Sequence, residues 1–192
     1  MIKTENFDKV EVSSQEELRK WLASNFKQEE SIWLVTFKKE VPGKYVSTSE
    51  VLDELLCFGW IDGIRRKLDD TRTMQLISPR KTQHWTRTYK DRAQKLIDQD
   101  LMQPPGFASI EAGKQSGLWH FMDDVDALII PKDLKEALKV KQPAFEFFES
   151  INPSSKRFVL RWLKLSKTEK TRLKRIDQLV QLSAKGEKLK GS

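Results

Sequence analysis

Cys57-Phe58-Gly59-Trp60-Ile61-Asp62-Gly63-Ile64-Arg65-Arg66 opens a basic stretch that continues to Ser78-Pro79-Arg80 and His84-Trp85. Indoles, a carboxylate, an imidazole and several guanidinium groups in that order are suited to holding an anion. A guanidinium presents paired N–H donors that match a carboxylate or phosphate, and a flat ring can wall the pocket. The candidate ligand-binding residues are Trp60, Asp62, Arg65, Arg66, Arg80, His84 and Trp85. Each also has a structural reading. Trp60 can close a core after a helix end, Asp62 can cap backbone amides, and the arginines can pair with Asp62, Asp69, Asp70 or Asp91. His84 in a polar loop can simply be solvated.

No residue is assigned a catalytic role. The chain has no glycine-rich phosphate loop, no nucleophile elbow and no His-Glu-His grouping, which argues against the commonest hydrolases, nucleotide enzymes and metalloenzymes. One cysteine and two histidines are too few for a zinc site or an internal disulfide. No metal and no cofactor is expected. Cys57 falls on the apolar side of a helix near its C-terminal end, where the dipole disfavours a thiolate, so it reads as a buried, inert thiol.

The elements that must position these residues follow from local pattern. Alternation from Phe7 to Val12 predicts a short strand, and Ser13 with Glu16 has the spacing of a capping box opening a helix over 14–26. Ser31 to Lys38, rich in aromatic and β-branched residues, predicts a strand. Ser47 and Glu50 repeat the capping-box spacing ahead of a helix that Gly59 ends in a left-handed conformation. Strands on either side of an Asp69-Asp70 turn are predicted over 64–78, and helices over about 86–101 and 105–116. Residues 119–130 read as an acidic connector. Beyond it Pro131, Asn152-Pro153 and Ser166 with Glu169 each signal a helix start.

Length and charge set the frame. The 192 residues suffice to bury a real core, and no apolar run approaches the roughly 20 residues of a membrane span. The polar start lacks a secretory signal, so a cytoplasmic protein is expected. The formal charge of +7 is uneven: residues 1–60 carry −3, 61–95 +6, 96–152 −5 and 153–192 +9. Such blocks either attract anions or neutralise one another within the fold.

The Cys57–Gly63 motif resembles the YdeI/OmpD-associated family when taken with Pro79-Arg80, Trp85, Arg92-Ala93-Gln94-Lys95-Leu96-Ile97 and Met102-Gln103-Pro104-Pro105-Gly106. Ala137-Leu138, Phe148, Pro153-Ser154, Trp162 and Lys170-Thr171-Arg172-Leu173-Lys174-Arg175-Ile176 resemble its helical OmdA region. The resemblance covers about residues 10–185. It departs at Thr86 and Tyr89, where relatives tend to carry a serine and then an asparagine. It implies a bacterial protein of a family named for association with an outer-membrane porin and for bacteriocin protection, and it supplies no catalytic residues.

These readings combine into an α+β protein with a small mixed or antiparallel sheet flanked by helices and an all-helical C-terminal subdomain. The expected divisions are an α+β unit over 1–126, a helical OmdA-like subdomain over 127–185 and a basic, mobile tail over 186–192. The expected function is a non-catalytic stress or bacteriocin-protection protein that binds an anionic small ligand or an envelope-associated protein partner. Two alternatives remain: an enzyme acting on an anionic substrate at Trp60, Asp62 and Arg65, with Asp62 or His84 as proton carrier, and nucleic-acid binding through the basic C-terminal helices.

Overall fold

A computed structural model describes residues 7–191, which fall into two compact units, one ending at His120 and one beginning at Phe121. The fold is α+β. In the first unit the order is β1 (Lys9–Val12), α1 (Gln15–Asn25), β2 (Ile32–Phe37), α2 (Thr48–Cys57), β3 (Trp60–Lys67), β4 (Arg72–Pro79), α3 (Arg87–Asp98) and α4 (Pro104–Gln115). The four strands form one mixed sheet in the order β1-β2-β4-β3. β1 runs parallel to β2, while β4 lies antiparallel to both β2 and β3.

Parallel pairing of β1 with β2 requires a crossover, and α1 supplies it. Its start is one residue later than the sequence suggests. Ser14, not Ser13, is the cap, its hydroxyl accepting from the Glu17 amide at 3.1 Å, and the Glu17 carboxylate accepts from the Ser13 amide. At α2 the capping box forms as expected: Ser47 accepts from the Glu50 amide, and Glu50 accepts from the Ser47 amide at 2.7 Å. The β3–β4 turn is closed by Asp69, whose Oδ1 accepts from the amides of Thr71 and Arg72. The inward sheet face and helices α1 to α4 enclose Leu18, Leu22, Leu34, Leu55, Trp60, Ile77, Trp85 and Leu96.

One expectation needs correction here. The strand after α2 begins at Trp60 rather than near Ile64. A bulge shifts the register between Asp62 and Arg65, so residues on either side of Gly63-Ile64 no longer alternate in step, and the sequence pattern hides the first half of the strand.

The second unit is all helical among its described residues: α5 (Asp123–Asp126), α6 (Lys132–Val140), α7 (Gln142–Ser150), α8 (Pro153–Lys164) and α9 (Glu169–Ala184). The stretch read as a connector contributes Met122 and Val125 to this unit's core, beside Leu134, Leu138, Phe148, Leu160, Leu163 and Leu179. Asn152 caps α8, accepting from the Ser155 amide at 2.9 Å, with Pro153 at the first helical position. α9 is capped by Thr168 through the Thr171 amide, in place of Ser166. Within residues 186–191, Leu189 packs against this core, and the residues on either side of it are exposed.

Candidate anion-binding site

The helix α2 delivers the motif by a turn that only glycine tolerates. Gly59 has φ +72°, and a Cβ there would lie 2.7 Å from the Pro105 carbonyl oxygen. Its carbonyl accepts from the Arg80 amide at 2.9 Å, so the end of α2 and the exit of β4 are fastened together. This contact fixes where the Arg80 side chain starts.

From there the Arg80 guanidinium extends between two rings, 4.1 Å from the centroid of Trp85 and 4.9 Å from that of Tyr89. Both distances suit a cation held over aromatic faces. Nη1 donates weakly to the carbonyls of Gln83 (3.4 Å) and His84 (3.5 Å). Nε and Nη2, the edge that can grip a carboxylate with two parallel bonds, are buried and have no protein acceptor. Burial pushes the Arg80 pKa down to about 10, while Tyr89 and Asp62 act to raise it, so the group stays cationic at neutral pH.

Asp62 is engaged on both oxygens: Oδ1 accepts from the Tyr89 hydroxyl and Oδ2 from the Gln75 amide at 3.2 Å. Its partners are therefore side chains rather than the backbone amides the sequence suggested. Trp85 is buried, its amide donating to the Leu118 carbonyl at 3.0 Å and its ring packing 5.0 Å from Trp119. Gly113 lets α4 close on that ring, since a Cβ there would fall 2.5 Å from the indole Nε1.

The candidate residues thus separate into two groups. Asp62, Arg80 and Trp85 bring their side chains to the cluster just described, and His84 brings its backbone carbonyl. Trp60 is 1% exposed and packs edge-on against Trp21 at 5.6 Å within the core. Arg65 and Arg66 are exposed and, as neighbours on a strand, point to opposite faces of the sheet. Arg65 donates to the hydroxyls of Thr48 (2.6 Å) and Thr73 (3.0 Å), and Arg66 lies over Trp33 at 5.3 Å.

Tyr89 and Gln75 were not singled out as site residues. Gln75 stands between Thr73 and Ile77 on the inward face of β4, and a buried amide in that setting requires a partner. That was the available signal. Cys57 is buried, its thiol pKa pushed up to about 11 by desolvation and then by nearby Glu54. Among the described residues no group of three or more His, Cys, Asp or Glu side chains could hold a metal, and no helix is long and apolar enough to cross a membrane.

Comparison with known proteins adds the family. No curated protein and no solved structure matches the chain. Residues 10–109, which contain the whole cluster from Asp62 to Tyr89, match the family model described as Domain of unknown function (DUF8412). Residues 127–186 match OmdA, described as Bacteriocin-protection, YdeI or OmpD-Associated. The OmdA match therefore spans the helical region alone, and the Cys57–Gly63 motif belongs to the other model. The first match covers more than half of the chain, and the protein belongs to the DUF8412 family, with a C-terminal region that matches the bacteriocin-protection, YdeI or OmpD-associated model.

Proposed function

We propose that this protein is a non-catalytic bacteriocin-protection factor whose first unit binds an anion, either a small carboxylate or phosphate or an acidic group of a protein partner, on Arg80. The protective role follows the description of the OmdA family. One observation carries the binding role: the Nε–Nη2 edge of Arg80 is a preformed two-donor fork with no acceptor. Burying such donors unpaired costs about 1–3 kcal/mol, and an anion received there would recover that cost. The loop residues Lys81 and Thr82, which follow directly in the chain, are exposed. Asp62 is committed to Tyr89 and Gln75, which favours binding over the alternative in which Asp62 carries a proton.

Thermal melting with a panel of carboxylates, sugar phosphates and nucleotides tests the reading, because a ligand that prefers the folded state raises Tm by mass action. The expected result is a saturable rise with at least one anion. Arg80→Lys should abolish it, keeping the charge but losing the fork, whereas Arg66→Gln should retain it. A rise unaffected by Arg80→Lys, or none from any anion, removes this site and leaves Arg80 as a structural cation between two rings. Loss of protection in Arg80→Lys cells challenged with a bacteriocin would link the site to the family role.

A further inference from the structure

In the second unit, α6 and α9 lie side by side with a groove of about 320 Å³ between them. Two polar ties join these helices. Asp133 accepts two bonds from Arg172, at 2.6 and 2.9 Å, and Lys141 donates to Gln181 at 3.2 Å. The paired positions advance together along both helices, so the two run in the same direction. At 1.5 Å per residue the ties stand about 12 Å apart. Ile176 and Val180 are buried at the bottom, while Val140 and Leu173 are 84% and 57% exposed at the rim.

Val140 is the most exposed large hydrophobic side chain among the described residues, and the interval between the ties suits a particular guest. A helix with apolar residues at i, i+3 or i+4, and i+7 spans about 10.5 Å on its apolar face. The charge around the groove selects among such helices. Lys170, Lys174, Asp177 and Gln181 follow one another at helical spacing, so the two lysines continue the stripe that lines the groove through Asp177 and Gln181. Lys170 and Lys174 are exposed and have no ion-pair partner among the described residues. With Lys141 they set three cations against Asp177. Residues 121–192 as a whole carry 16 Lys and Arg against 10 Asp and Glu. A cationic helix is repelled by such a rim, and a second copy of this unit would bring the same cations together.

We propose that the α6–α9 groove docks an acidic amphipathic helix of a partner protein, its apolar face on Val140, Leu173, Ile176 and Val180 and its carboxylates on Lys141, Lys170 and Lys174. The inference is independent of Arg80, being carried by different residues in the other unit. The buried floor of Ile176 and Val180 is reached by side chains inserted from a helix and not by a lipid surface resting on the rim.

The test uses the full chain and three fluorescein-labelled peptides: an amphipathic helix of Leu and Glu, the same helix with Lys for Glu, and an order-scrambled Leu/Glu control. The acidic helix should bind saturably and lose affinity as salt rises, with the other two about tenfold or more weaker. Leu173→Glu and Val140→Glu change exposed positions, so circular dichroism should be unaltered while affinity falls about tenfold or more. Equal binding of all three peptides, or affinity indifferent to both substitutions, overturns the proposal. So does Leu173-dependent binding to phosphatidylglycerol vesicles that exceeds binding to the acidic helix, or Leu173-dependent self-association in sedimentation.

Discussion

The two units use charge differently. Residues 1–120 hold 19 Lys and Arg against 18 Asp and Glu, near balance, and much of that charge is tied into the fold. Arg19 meets the buried Glu54 at 2.9 Å, Arg72 bridges Glu11 and Asp69 at 2.5 and 2.7 Å, and Arg92 meets Asp53 at 2.5 Å. The basic block 61–95 is thus partly neutralised by the acidic block before it. In the second unit Lys164 meets Asp124, Lys156 meets Glu149 and Arg172 meets Asp133, yet cations remain in excess on helix surfaces. Charge that holds elements together is not free for a partner. The surplus on α9 contributes little to the fold, and this is why its pattern beside an apolar groove carries functional information.

The units also differ in what their cores depend on. The first relies on aromatic contacts of fixed geometry, Trp60 on Trp21 and Trp85 on Trp119, and the second on the apolar faces of helices packed around Leu134, Leu138, Phe148 and Leu163. Core deletions test that difference most severely. Phe148→Ala in the second unit should cost about 3–5 kcal/mol through lost burial and a cavity. Trp85→Ala should cost at least as much, because it also takes a ring from Arg80 and the surface that Gly113 packs on. Urea unfolding of both variants gives the comparison. A Trp85→Ala cost well below that of Phe148→Ala would mean that the cluster around Arg80 adds no stability.

Helix ends provide a smaller test. Ser47→Ala breaks the capping box of α2, and Thr168→Ala removes the side-chain cap of α9. Each should cost about 1 kcal/mol. Equal losses would place the difference between the units in their cores; a much larger loss at Ser47 would add the start of α2 to what distinguishes the first unit.

What could be read in the sequence divides along the same line. Features set by neighbours in the chain were legible: the Ser47–Glu50 box, the left-handed Gly59, the Asp69 turn, Pro153 after its cap and the continuous aromatic and β-branched run of β2. Errors of one or two residues, as at Ser14 and Thr168, arose where adjacent hydroxyl residues compete for the same cap. The site was less legible because it depends on contacts between distant parts of the chain. Asp62, Arg80 and Trp85 do come together, but the bulge at Gly63-Ile64 conceals the strand that carries Asp62, and nothing local links Gln75 or Tyr89 to that carboxylate. Arg65 and Arg66 looked equivalent in sequence, yet the period of two along a strand sends them to opposite faces.

The smallest predicted effect concerns the ion pair at one end of the α6–α9 groove. Arg172 beside it holds the Asp133 carboxyl below its ordinary value, helped by the Leu134 amide. For a carboxylate whose folded pKa is depressed, the unfolded chain takes up the proton first as pH falls. The contribution is therefore complete above the unfolded value, near 4, and is lost as pH drops through the lower folded value. Asp133 is more than a third exposed, so solvent screening limits its worth to less than about 1 kcal/mol. Urea midpoints between pH 7 and pH 2 should show wild type losing slightly more stability than Asp133→Asn over the acid end of that range, with the difference reduced by salt. Asp133→Asn also takes a carboxylate from one end of the groove and leaves the Arg172 cation there, so the acidic helix should dock at least as tightly in that variant while the fold loses slightly. Weaker docking in Asp133→Asn would show that the tie, and not the apolar floor alone, shapes the groove.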